Sequence, residues 1–440
     1  MEVSCIFCIF VTKNRNKMKR RYKVVIILVC ICLCSIVYFF MNEKDYGHKV
    51  VVCIPVYGQS FALGEEAVRI TDFDSLRIKY AGRIVTENLD YVFGYYDHSS
   101  QFKQYVKKLL HYDKKAFELS VYGMAETMAP QLGKDTLICI FPGGHGMNTI
   151  SQLMKPAAPY KKFIEEIKHA YNEAKDRGWE LYVPAVCWMQ GESDIVDYPG
   201  TDYKKLFQQM YKNLNSDIKT VTNQQEDIRI ICYQTNAITK GTKYKTDNYN
   251  ASEPLTSTIQ MEMIRDDSMI WASGPVYPYN FVNENIHIDA EGQKCIGALA
   301  AQSALGILHH TERRIGLVPL KMVCSGNDIS ILFNVPAPPL CFDTISVRKA
   351  PHYGFSVIKR DNSDILSSVY IEGNSVVLKC QESPVGCKIR YAVNGEYLKS
   401  GRVHGPRGNL RDSQGDSLYV IIKGKKEPLH NWCLLFNLSQ

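Results

Sequence analysis

Two residues that could combine in nucleophilic chemistry stand far apart in the chain: Ser60, in YGQSFALGE, and His287, in NENIHIDAEGQ. A serine hydroxyl is a weak nucleophile until a base takes its proton, so Ser60 gains chemical meaning only with a group such as His287 beside it. Ser60 directly follows the apolar run KVVVCIPV, where a hydroxyl can be exposed at the start of a helix and its amide can help bind an anion. Taken alone, GQS is equally consistent with a helix-capping serine, and His287 with a loop or capping histidine. Between them, MQGESD supplies two carboxylates, Glu192 and Asp194. Paired carboxylates are the equipment of glycoside cleavage, a reading that ranks below acyl chemistry by Ser60 and His287. PGGHGMN, with Gly143, Gly144 and His145, has the glycines of a phosphate cradle. It lacks the Lys and Ser/Thr that a P-loop places next, so it shapes a pocket wall and implies no nucleotide.

The elements that must position these residues are read from periodicity. Four apolar runs, KVVVCIPV, TLICIF, ELYVPAVCW and IRIICYQ, are separated by segments of helical period between residues 49 and 311. In one of these, Tyr160 to Arg177, the residues Phe163, Ile164, Ile167, Tyr171 and Ala174 fall on one face and Gly178 can end the helix. Similar helices are predicted at Tyr203 to Leu214 and at Glu291 to Leu308. Strands that are apolar throughout are covered on both faces, which predicts a three-layer α/β/α sandwich around a parallel sheet over residues 48–312. Such sheets bind ligands beyond the carboxyl ends of their strands. The loops placed there are YGQSFALGE, PGGHGMN, MQGESD and QTNA. After Leu317 the pattern changes to alternating strands and turns, as in NDISILFNV and SSVYIEGNSVVLKC, so residues 317–440 are expected to form a second, β-rich, sandwich-like domain. Asn394-Gly395 is predicted to close a hairpin there.

Together, GQS near the start, Trp188 with QGESD in the middle and a histidine ahead of a Gly-containing helix resemble the sialate O-acetylesterase-like carbohydrate esterases, a branch of the SGNH hydrolases. The resemblance spans about Lys49 to Leu308, and WMQGESD is its most specific element. It implies that Ser60 attacks an acetyl carbonyl, that His287 takes and returns the proton, and that the oxyanion is held by the backbone amides of Ser60 and Gly123 and the side chain of Gln190. Gly58, Gln59, Gly191, Glu192, Asp194 and Gly144 take supporting roles, with Glu192 bonding neighbouring loops so that Gln190 points at the oxyanion. Gly123, in SVYGMAETMAPQL, can alternatively be a helix-start glycine. The family carries an aspartate three residues before its histidine, where this chain has Glu284. Glutamate can orient an imidazole as well, so the implied triad is Ser60, His287 and Glu284, with Asp289 as an alternative acid.

The formal net charge of +7 is matched by Lys13, Arg15, Lys17, Lys19, Arg20, Arg21 and Lys23 in the basic segment 1–23, and the remainder is near neutral. No basic stripe interleaved with aromatics remains, which argues against nucleic-acid binding. An uncharged apolar stretch follows within residues 24–41 and reads as a membrane anchor or a cleavable signal. Positive charge on its N-terminal side predicts that everything after about residue 42 is extracytoplasmic, membrane-anchored or secreted. Of the 15 cysteines, Cys5, Cys8, Cys30, Cys32 and Cys34 precede the folded region, and Cys53, Cys139, Cys187 and Cys232 sit in apolar runs where a buried thiol is expected. Cys380 and Cys387 can either bridge or stay free. No Cys/His spacing suits a metal, and no cofactor is expected. The reading that results is an O-acetylesterase acting on acetylated carbohydrate through an acetyl-serine intermediate. Its rivals are a glycan O-acetyltransferase and a catalytically silent carbohydrate-binding protein; the sugar and the oligomeric state are left open.

Overall fold

A computed structural model of the chain describes residues 49–70, 80–86, 103–104, 117–197, 202–236, 255–284, 286–396 and 399–439. The segments 1–23 and 24–41, with the anchor expected there, lie outside the described residues. Among the described residues no helix is long and apolar enough to cross a membrane. His48–Gln440 form one compact unit.

Each of the first three apolar runs makes two short strands in line. They are β1 (Val50–Cys53) and β2 (Val56–Gly58), β5 (Thr136–Cys139) and β6 (Pro142–Gly144), and β7 (Glu180–Tyr182) and β8 (Ala185–Met189). Pro55 and Pro184 fall in two of the breaks and Pro142 opens β6 directly after the third; a proline has no N–H to donate to a ladder. With β3 (Ile84–Thr86), β4 (Lys103–Gln104), β9 (Arg229–Gln234) and β10 (Ile270–Pro275), they form two five-stranded ladders, β4-β3-β5-β1-β7 and β10-β9-β8-β2-β6. All pairings are parallel except β3 with β4.

Alternate strand residues serve opposite faces. Val51, Cys53, Leu137 and Cys139 join Phe163, Ile167, Phe207 and Met210 in one core, whereas Val52, Ile54, Ile138 and Ile140 join Val121, Met124, Ile296 and Ala300 in another. The first core is covered by helices Ala158–Asp176, Tyr203–Thr222 and Leu255–Asp266, the second by Ser120–Met128 and Ala290–Leu308. This is the expected α/β/α arrangement. The helix predicted to end at Leu214 continues to Thr222, because Ile218 and Thr222 extend the buried stripe of Tyr203, Phe207, Met210 and Leu214. It stops at Asn223, in the left-handed conformation with φ 57°.

The β-rich region contains β11 (Val318–Ser325), β12 (Asp328–Asn334), β13 (Cys341–Phe342), β14 (Phe355–Ile358), β15 (Leu366–Glu372), β16 (Ser375–Cys380), β17 (Lys388–Tyr391), β18 (Leu410–Arg411), β19 (Tyr419–Ile422), β20 (Lys425–Pro428) and β21 (Phe436–Ser439). They assemble as antiparallel sheets β11-β12-β16-β15 and β14-β17-β21 with two small ribbons. Asn394-Gly395 closes no hairpin, because β17 pairs with β14 and β21 instead of with a strand beyond the turn. Gly395 is needed for a close approach: a Cβ there would lie 2.1 Å from the carbonyl carbon of Gly405. The two-residue turn between β19 and β20 falls at Lys423-Gly424, with φ of 49° and 76°.

This region is packed directly onto the α/β region. Gln234 at the end of β9 donates from Nε2 to the Leu435 carbonyl and accepts from its amide, both at 2.7 Å. Tyr277 Oη donates to the Cys433 carbonyl at 3.0 Å, and one apolar core includes Tyr277, Leu317, Tyr391 and Trp432. The cysteines of the described residues are free thiols, Cys380 and Cys387 included. Burial pushes the Cys187 thiol up to about 12, which suits a small core residue and not a nucleophile.

Candidate active site

Ser60 follows the last residue of β2 by two positions and is buried at the carboxyl end of the sheet. Three strand ends converge under it at distances that only glycine allows. A Cβ on Gly58 would stand 2.0 Å from the Met189 carbonyl oxygen, and one on Gly144, with φ +117°, 1.8 Å from the Gly58 oxygen. Gln59 turns its side chain toward MQGESD, where its Oε1 accepts from the amides of Gly191 at 3.3 Å and Ser193 at 3.4 Å. The Ser60 amide makes no backbone hydrogen bond among the described residues, so it can receive negative charge on a ligand.

MQGESD forms a buried polar network. Glu192 accepts from Tyr233 Oη at 2.8 and 2.7 Å and from the Thr235 hydroxyl. Burial pushes its carboxyl up, and the bonds from Thr235 and Tyr233 work in the opposite sense. Asp194 accepts from the Ile150 amide at 2.9 Å and from Gln190 Nε2. Thus Glu192 does bond the neighbouring loop, as expected. Gln190, however, is fully buried and directs Nε2 at the Asn148 carbonyl, 3.2 Å away, and at Asp194, while its Oε1 accepts from Tyr203 at 3.1 Å. Both amide protons are therefore spent, and the side chain has none left for an oxyanion. Its part is to tie the loop after β8 to helix Tyr203–Thr222.

His287 comes from the loop between β10 and helix Ala290–Leu308. Its ring meets Phe61, the residue after Ser60, edge-on with centroids 5.6 Å apart. Its Nδ1 lies 2.6 Å from Glu66 Oε2, the His287 side chain being 13 % and the Glu66 side chain 43 % exposed. With Nδ1 so occupied, Nε2 is the nitrogen left for proton transfer. No hydrogen bond joins Ser60 to His287 among the described residues, which is common before a substrate tightens a site.

The carboxylate expected from the spacing, Glu284, is not the one on Nδ1. It lies in the single-turn helix Val282–Glu284 with φ 56°, and its Oε2 is buried without a hydrogen-bond partner. The reason is local: Val282 N donates to the His287 carbonyl at 2.8 Å, closing a tight loop with Glu284 in its turn and His287 at its base. Asp289, the alternative, caps the following helix through the Gly292 amide at 2.8 Å.

Gly123 also departs from expectation. It sits inside helix Ser120–Met128, where a Cβ would lie 2.5 Å from the Lys294 carbonyl oxygen of helix Ala290–Leu308. It is a helix-packing glycine, and its amide belongs to the helix. The neighbouring Glu65 has its carboxyl raised: burial is the largest cause and Glu66 adds to it, while His287 and His145 work in the opposite sense.

Sequence reasoning missed Glu66, Tyr233, Thr235 and Gln260. The last donates to the Gln190 carbonyl at 2.7 Å and accepts from Thr235 N at 2.9 Å. The available signal was the pair Glu65-Glu66 directly after GQSFALG, and the QTNA loop that contains Thr235.

Residues 91–306 match the family model described as carbohydrate esterase, sialic acid-specific acetylesterase. A novel carbohydrate acetylesterase from Xanthomonas citri has a similar fold, with TM-score 0.56 and 14 % identity over 88 % of this chain and 80 % of that one. A protein of Arabidopsis thaliana aligns with TM-score 0.41 and 19 % identity over 58 % and 97 %, and NanS with TM-score 0.41 and 13 % identity over 60 % and 98 %. No curated protein resembles the chain significantly. Residues 91–306 thus carry the match to the sialic acid-specific acetylesterase family of carbohydrate esterases, and with the fold shared with a carbohydrate acetylesterase this match supports an acetylesterase-type hydrolase.

Proposed function

We propose that this protein hydrolyses O-acetyl esters on carbohydrate through an acetyl-serine intermediate on Ser60, with His287 as general base and acid. The observation that carries the reading is the meeting of two sheet-end loops, where the ring of Phe61, next to Ser60, touches that of His287 and Nδ1 of that imidazole is held by a carboxylate. In the first half-reaction Ser60 Oγ adds to the acetyl carbonyl as its proton passes to His287 Nε2. The oxyanion forms against the Ser60 amide, the sugar C–O bond breaks, and the imidazolium returns the proton to the departing alcohol. In the second, His287 takes a proton from water, whose oxygen attacks the acetyl carbon, and acetate leaves with Ser60 restored. The family match makes O-acetyl sialic acid the first substrate to test. Residues 24–41 would hold the enzyme at a membrane with its sheet outside the cytoplasm, a placement that rests on the sequence alone.

The test is acetate release by the detergent-solubilised full chain from a panel of acetylated sugars, run beside Ser60→Ala. A loss of about 10³-fold or more in the variant is expected for a serine mechanism. Release that survives the substitution, or acetyl appearing on a second glycan in place of free acetate, overturns the reading.

A further inference from the structure

We propose that Glu66, six residues after the nucleophile on the same loop, is the carboxylate that positions His287, in place of the acid three residues before the histidine. The inference rests on the Ser60/His287 reading above and adds the third member. Its ground is the 2.6 Å contact between Glu66 Oε2 and His287 Nδ1, set against a Glu284 whose Oε2 has no partner.

The loop is built to deliver this side chain. Leu63 N donates to Ser60 O and Glu65 N to the same carbonyl, both at 3.1 Å, so the chain after the nucleophile coils back on itself. Gly64, with φ +62°, lets the turn pass the Glu118 carbonyl, which a Cβ would approach to 2.1 Å. Glu118 N then donates to Ala67 O at 2.8 Å and fixes the far end. Between these anchors Glu66 adopts φ 65°, a left-handed conformation that is strained for a non-glycine residue. A half-exposed glutamate gains little in return from burial or packing. What the conformation secures is a carboxylate on the imidazole nitrogen opposite the one that faces chemistry.

Glu66 in this position fixes the tautomer with the proton on Nδ1 and leaves Nε2 unprotonated to accept the Ser60 proton. As that proton arrives, the carboxylate stabilises the resulting imidazolium. The acid and the nucleophile then move together as one short loop, and only the histidine comes from a distant segment. The spacing departure at Glu284 is thereby explained: that carboxylate is not needed to orient the histidine.

The experiment compares Glu66→Gln, Glu66→Ala and Glu284→Gln in the full chain. Glu66→Gln is expected to lower kcat about 10- to 10²-fold with KM within about 2-fold, less than a fully buried triad acid gives because Glu66 is half in water. Formate is expected to restore part of the activity of Glu66→Ala in a saturable way, which a purely structural role would not permit. Glu284→Gln is expected to leave kcat within about 2-fold of the parent. A Glu66→Gln enzyme as fast as the parent, a Glu66→Ala enzyme deaf to formate, or a larger loss in Glu284→Gln overturns the assignment. The downfield Nδ1 proton resonance of His287, present in the parent and lost in Glu66→Gln, reads the contact without turnover. Its result decides the role of Glu66 even if the protein releases no acetate and the esterase reading itself fails.

Discussion

Replacing Gly123 by alanine separates the packing role that the structure gives this residue from the oxyanion role that its sequence context implies. The new Cβ would start 2.5 Å from the Lys294 carbonyl oxygen and 3.0 Å from the Lys294 Cα, both backbone atoms of a facing helix. An ordinary contact needs about 3.4 Å or more, so helices Ser120–Met128 and Ala290–Leu308 must part by close to 1 Å along a buried seam. Overpacking of this kind costs roughly 1–3 kcal/mol, and the helix preference of alanine over glycine returns about 1 kcal/mol. The expected net loss is up to about 2 kcal/mol, seen in a unit the size of His48–Gln440 as a fall in Tm of up to about 3 °C by calorimetry. Activity per folded molecule, measured well below Tm, is expected to stay within about 2-fold of the parent. An oxyanion donor displaced from its place would instead cost about 10²–10³ in kcat. A variant with unchanged Tm and kcat reduced by that amount refutes the packing assignment and returns Gly123 to the chemistry.

Two further outcomes follow from buried carboxylates. Burial raises Glu192 above its ordinary 4.5 against the hydrogen bonds that lower it, so the folded state binds this proton more tightly than the unfolded one. Its contribution to stability therefore declines as pH rises from about 4.5 through the raised value; Glu192→Gln is expected to flatten that decline in urea midpoints between pH 4 and 8, and an unchanged slope counts against the argument. Burial would also raise Asp343, but hydrogen bonds from Ser346 and Arg411 outweigh it and hold the carboxyl down to about 2. Here the sign is the reverse: the stabilisation is present above its ordinary 3.8 and lost as pH falls through 2, so Asp343→Asn is expected to lower Tm at pH 5 and to narrow the drop between pH 5 and pH 2.5.

How much of this was legible follows from what kind of interaction fixes each feature. Val51, Val52, Ile138 and Val186 are apolar without alternation because both faces of their strands are buried, so the doubly covered sheet could be read from composition along the chain. The collection of Ser60, Gly144, Glu192 and His287 at one sheet edge follows from the same fact, since loops after parallel strands share an edge. The seam between Gln234 and Leu435 could not be read, because a fully buried glutamine that bonds a backbone 201 positions away leaves no periodic trace.

The misplacements at the site share a cause, which is that donors and acceptors are chosen by backbone direction and not by residue type. Gln190 is a plausible oxyanion donor until the strand end turns its amide toward Asn148 and Asp194. Glu284 is a plausible triad acid until a tight loop leaves its carboxylate away from Nδ1. Glu66 looks like surface charge until a left-handed turn beside Gly64 brings it back over the nucleophile's own loop. Positive φ values stand at or next to all three positions, at Gly191, Glu284 and Glu66, where the backbone departs from the conformations that spacing alone assumes. The residue types suited to this chemistry therefore survive in the sequence while their partners change, and a motif that departs from its family at one position calls for a search of the neighbouring loops for the same functional group.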